Sequence, residues 1–150
     1  MVAYSFKSFF APQIEDMSKA QTVRADRKRH ARPGEALQLF VAMRTKSCRK
    51  LLTIDPVCLA VAPIVIQISS IIDELIASIE IDGQILHRDE IETFSRLDGF
   101  SPERVLIKLN GAAAKSARQN MGMFWQANYP HVTRFEGVLI TWGPSAQAVA

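Results

Sequence analysis

Only two cysteines, Cys48 and Cys58, occur in 150 residues, so no disulfide framework organises the chain, and both are read as reduced thiols. Glycine and proline are sparse, at seven each, which excludes collagen-like and low-complexity architectures. Long apolar runs are missing too. The uncharged stretch 56–72 is broken by Pro63, Gln67, Ser69 and Ser70 and falls short of the roughly 20 apolar residues that cross a bilayer, so it reads as core. The opening MVAYSFKSFF lacks the charged, apolar and small-residue succession of a secretory signal, and the expected compartment is the cytoplasm.

Several chemistries lack their residues. There is no Gly-rich phosphate loop, no Gly-x-Ser-x-Gly elbow and no Cys-x-x-Cys pair. His30, His87 and His131 are far apart, with no partner at metal-ligand spacing, so neither a metal nor a cofactor is expected. Cys48 lies between Lys46 and Arg49, but no recognisable His or Asn partner completes a thiol nucleophile.

What is present is the composition of a globular domain, 48% hydrophobic and 22% charged. A chain of this length buries roughly 70% of the surface its unfolded form exposes, enough for a core without staples. The net charge of +3 hides an uneven distribution. Residues 1–50 carry 11 Lys or Arg against 4 Asp or Glu, whereas residues 51–150 carry 7 against 11. The densest segment, RADRKRHAR, contains Arg24, Arg27, Lys28, Arg29 and Arg32, and Arg44, Lys46, Arg49 and Lys50 follow. Such a cluster attracts phosphate and would give salt-sensitive affinity for nucleic acid; a solvated surface loop is the other reading.

Residues 3–7 read as a strand, followed by a short helix carrying Phe10, Ile14 and Met17, with Pro12 in its first turn. Residues 21–27 alternate as an edge strand and 35–43 as a mostly apolar one. Residues 50–72, interrupted by Pro56 and Pro63, suggest two or three short buried strands. Asp82-Gly83 between isoleucine-rich segments marks a hairpin. A helix from Asp89 to Gly99 is expected, then a second one opened by Ser101-Pro102-Glu103 and broken at Gly111. Met121, Phe124 and Trp125 resume a helical face, residues 135–142 form a closing strand, and residues 143–150 form a flexible tail. About six or seven short strands with three helices, lacking regular alternation, give an α+β domain over 1–142 with a small curved sheet or barrel.

One segment carries chemistry. In SKAQTVRADR, Thr22 and Arg24 project to one face of the strand, and Lys19 at the helix-strand junction can fold over them. A lysine near several arginines has its charged form disfavoured, so it can accept the proton of the threonine hydroxyl, which is nucleophile activation without histidine. A solvated lysine and a strand-forming threonine are the structural alternative. Trp125, Tyr129 and Trp142 read either as core or as rings that stack on bases.

The order FKSFFAPQIEDMSKAQTVR, RPGEALQLF, SRLDGFSPERV and FEGVLITW resembles the ASCH family of PUA-like domains, in which a strand and helix lead into Lys-x-x-Thr-x-Arg. The resemblance covers Tyr4 to about Trp142 and rests on the order and spacing of short motifs. It implies a β-barrel related to RNA-binding PUA domains, with a cleft for a nucleobase or RNA. Some ASCH members are amidohydrolases that remove the acetyl group from N4-acetylcytidine with a lysine, a threonine and a glutamate. On that pattern the lysine is Lys19 and the threonine Thr22, while Asp98 stands in the glutamate's place, one methylene shorter. Arg24 would then hold an oxyanion or a phosphate. As a residue before Gly99, Asp98 alternatively satisfies backbone donors of a turn. Other family members bind RNA or cleave it. A non-catalytic RNA-binding module contacting phosphate through Arg24, Arg27, Lys28 and Arg29 is therefore a second expectation, and a metal-independent ribonuclease a third. The expected partner is a modified nucleoside or RNA, not a membrane.

Overall fold

The computed structural model describes residues 2–145. It is a mixed α+β fold in which these residues form three α-helices and ten strands. They divide into two compact units, one made of residues up to Val61 together with those from Val138 on, the other running from Ala62 to Gly137.

In the first unit, β1 (Val2–Phe6) pairs in parallel with β3 (Leu37–Val41), Val2 opposite Leu37 through Phe6 opposite Val41. Both strands bury every second residue, so Val2, Tyr4, Phe6, Leu37, Leu39 and Val41 form the core side. A parallel pair requires a crossover. It contains a 3-10 turn (Ser8–Phe10), α1 (Ala11–Glu15) with Pro12 in its first turn, and β2 (Gln21–Ala25). Helix α1 is short because Met17 takes a positive φ of 67° and turns the chain, while the Lys19 amide bonds back to the Gln13 carbonyl at 3.0 Å. Strand β4 (Arg49–Lys50) adds antiparallel to β3. Strand β2 lies beside the end of the closing strand, where the Trp142 amide donates to Ala20 O at 3.0 Å.

The region 50–72 corrects the expectation of two or three short strands. It holds one 12-residue strand, β5 (Val57–Ile68), which continues past Pro63. Pro63 is exposed and lies next to Ile64, where pairing with β6 (Ile76–Ile81) ends, and its carbonyl accepts the Asp82 amide at 2.9 Å. A proline there still supplies an acceptor. Asp82 and Gly83, with φ of 50° and 81°, make the tight turn into β7 (Gln84–Ile85) as expected.

Helix α2 (Arg88–Ser95) is opened by the Glu90 carboxylate, which accepts the His87 amide at 2.8 Å. A π turn (Arg96–Phe100) follows and contains Gly99, whose φ of 100° suits glycine. The helix expected from Ser101-Pro102-Glu103 does not form. The chain makes one turn, with the Arg104 and Val105 amides donating to Ser101 O at 2.9 and 3.0 Å. It then runs into the hairpin β8 (Lys108–Leu109) and β9 (Ala112–Ala113). Asn110 and Gly111, at φ of 53° and 80°, form its turn. Apolar residues at 105, 107 and 109 have a period of two, and Ile107 and Leu109 pack against Leu75, Ala114 and Met123; that packing outweighs the N-terminal helix signal.

Helix α3 (Ala117–Asn128) is capped by Ser116, whose hydroxyl accepts the Gln119 amide at 3.0 Å. The Glu92 carboxylate takes the Ala117 and Arg118 amides at 3.1 and 2.9 Å. Strand β10 (Arg134–Gly143) closes the fold. Gly143, expected in the tail, is the last residue of this strand, and residues 146–150 lie outside the described residues. The strands exceed the expected six or seven because several are two-residue pairings, and among the described residues their three sheets form no closed barrel.

Candidate functional site

The period of two in β1 sets Tyr4 and Phe6 on the same buried side, and β2 brings its own alternating pair to them. Thr22 is buried, and the Arg24 guanidinium donates through Nε to its Oγ1 at 3.1 Å. The expectation that Thr22 and Arg24 share a face is met by that bond. At its other end Arg24 donates through Nη2 to the Ser5 carbonyl at 2.7 Å. Its Cζ lies 4.7 Å from the Phe6 ring centroid and 5.4 Å from that of Tyr4. The guanidinium is thus held in its plane by hydrogen bonds and packed against aromatic rings.

Lys19 is only 2% exposed, rare for a lysine. Its Nζ lies 4.5 Å from the Phe10 centroid and 5.8 Å from that of Phe6. The Lys19 amine and the Arg24 guanidinium, the latter bonded to the threonine hydroxyl, therefore share the Phe6 ring. The Trp142 ring meets Phe6 edge-on at 5.9 Å. Sequence reasoning did not assign Phe6 or Phe10 to the site, and read Phe10 only as part of the apolar face of the first helix. The signal was available, since a strand over 3–7 with Tyr4 and Phe6 two apart presents both rings to one side.

Asp98 belongs to the second unit, where it lies buried in the π turn immediately before Gly99. Trp125 and Trp142 are core, while Tyr129 is half-exposed and packs against Trp125 at 5.1 Å.

Residues 25–29 are exposed, but most of their cations have local partners. Arg27 donates through Nε to the Arg29 carbonyl at 2.9 Å, and its guanidinium covers Tyr4 at 4.6 Å. Arg29 pairs with Glu35, and this guanidinium, with the Arg32 amide, holds the Glu35 carboxyl down at about 2. Lys28 is exposed. The Tyr4 hydroxyl bonds His30 Nδ1 at 2.9 Å and accepts the Ala31 amide at 3.1 Å, which ties the basic loop to β1.

Cys48 is exposed and Cys58 buried, and burial pushes the Cys58 thiol up. Among the described residues no three His, Cys, Asp or Glu side chains are grouped to hold a metal, and no helix is long and apolar enough to cross a membrane. Comparison of the chain with family models, with curated proteins and with solved structures finds no match.

Proposed function

We propose that the chain is an ASCH-like, PUA-like nucleobase-recognising domain that hydrolyses the amide of N4-acetylcytidine or a related acylated nucleoside. The observation that carries this reading is the burial of Lys19 and Thr22, with the Phe6 ring shared by the Lys19 amine and by the Arg24 guanidinium that bonds the Thr22 hydroxyl. Acyl transfer by this route requires an amine base and an alcohol shielded from water.

In the proposed reaction Thr22 Oγ1 attacks the acyl carbonyl carbon while its proton passes to the neutral amine of Lys19. The carbon–nitrogen bond breaks, and the exocyclic amine leaves with the proton that Lys19 took up. Water then attacks the acyl-threonine ester, giving its proton to the Lys19 amine. The carboxylic acid product departs and Thr22 recovers its proton from Lys19. The sum is one amide and one water converted to one amine and one acid.

The test is incubation of the purified chain with N4-acetylcytidine and quantification of cytidine. Conversion is expected, and Lys19→Met should lower kcat about 100- to 10,000-fold while the thermal transition is retained. Absence of conversion over a panel of N4-acylated nucleosides overturns the reading.

The exposed basic stretch 25–29 favours a second reading, a salt-sensitive RNA-binding module. Binding that weakens steeply with salt and on Lys28→Glu, without nucleoside turnover, would establish it, and RNA cleavage in the presence of chelator would instead establish a ribonuclease.

A further inference from the structure

We infer that Arg24 is a positioning residue for the Thr22 hydroxyl, not the phosphate or oxyanion contact that its place in a basic stretch suggests. The inference rests on the deacylase reading and adds the device that sets the nucleophile's orientation.

The Arg24 Nε–H reaches Thr22 Oγ1 at 3.1 Å, so one lone pair of the oxygen is taken and the hydroxyl hydrogen must point elsewhere. A threonine on a strand has few χ1 options, so one directed hydrogen bond is enough to select among them. The guanidinium is itself anchored. Its Nη2 bonds the Ser5 carbonyl at 2.7 Å, and it lies against the rings of Phe6 and Tyr4, both from β1. A backbone carbonyl of β1, a strand of a different sheet, thereby fixes, through a rigid fork, the alcohol oxygen on β2. A positive charge at this distance also favours oxygen anion character as the proton leaves. Lysine in the same place would supply charge without the planar fork, so the geometry asks for arginine specifically.

The experiment has two readouts on wild type, Arg24→Gln and Arg24→Lys. The first is the Thr22 χ1 population from methyl-labelled threonine NMR, which needs no activity. A single rotamer is expected in wild type and averaging in both variants. The second is steady-state kinetics against pH with N4-acetylcytidine. Here kcat should fall about 10- to 100-fold with KM changed less than about threefold, and the alkaline rise of kcat should move to higher pH in the glutamine variant. Wild-type inactivity overturns the deacylase reading, and the rotamer measurement then decides the positioning claim by itself. An unchanged Thr22 rotamer, or a raised KM with intact kcat, overturns the claim and returns Arg24 to substrate contact. Should Arg24→Gln fail to fold, Arg24→Lys carries both readouts.

Discussion

In the second unit two polar side chains, buried Asn120 and half-buried Arg118, serve the backbone. Asn120, with no exposed surface, donates to the carbonyls of Phe100 and Val105 at 2.8 and 2.6 Å and accepts the Ile107 amide at 2.9 Å. Arg118 donates twice to the Ile76 carbonyl, at 3.0 and 2.6 Å. In the first unit the buried Thr22 hydroxyl instead meets a guanidinium, and the buried Lys19 amine lies over phenyl rings. Burial of a polar group is therefore not by itself the mark of a site. Its company is: a group that closes a stray backbone donor or acceptor has a folding role, whereas side chains that orient one another are arranged for something else.

Substitutions can sharpen or break that contrast. The largest loss of stability is expected at Asn120. Changing it to Ala leaves two carbonyls and one amide without their partner, which should lower the unfolding free energy by about 3–5 kcal/mol in a urea titration. Next is Gly122, where an added Cβ would stand 2.6 Å from Leu75 Cβ and 2.8 Å from the Glu74 carbonyl oxygen. Gly122→Ala should cost about 1–3 kcal/mol, since backbone must move to admit it. Thr22→Val keeps the shape, replaces the hydroxyl by a methyl and leaves the Arg24 Nε–H without that acceptor. It should cost about 1–2 kcal/mol in the same titration yet abolish deacylation. A Thr22 variant that was as unstable as the Asn120 one while still turning over substrate would erase the distinction between the units.

The smallest effect concerns Glu35, partly buried and paired with Arg29. Its folded-state value of about 2 lies below the usual 4.5, so the contribution is present above about pH 4.5 and fades as pH falls toward 2. Glu35→Gln should flatten the acid limb of a stability-against-pH curve within that window, and an unchanged curve would count against the pairing.

Much of the fold was legible where local chemistry and tertiary packing agree. The alternation of β1 and β3, the Asp82-Gly83 turn, the helical face of Met121 and Trp125 and the closing strand all emerge from periodicity and turn preference. The helix assigned after Ser101 failed because its start signal was strong and its continuation was not. A period of two over 105–109 and the Asn110-Gly111 turn required weighing against it. Pro63 misled for a different reason, since a proline stops a strand only where its missing amide is needed. At the candidate site, the shared face of Thr22 and Arg24 was readable from spacing, but the burial of Lys19 depends on Phe6 and Phe10, and the inward commitment of Arg24 depends on a carbonyl of another strand. Such long-range partners are invisible to a window sliding along the chain.

Tyr4 grips the arginine-rich loop from beneath, through His30, the Ala31 amide and the ring under Arg27. That loop is consequently a fixture and not a whip: its charges are laid out before any anion arrives. The freedom that a loose cationic tether would surrender on meeting a polyanion has here been surrendered once, when the chain folded, so an encounter with a matching arrangement of negative charge carries a smaller entropic toll, and a mismatched one finds little ability to adapt.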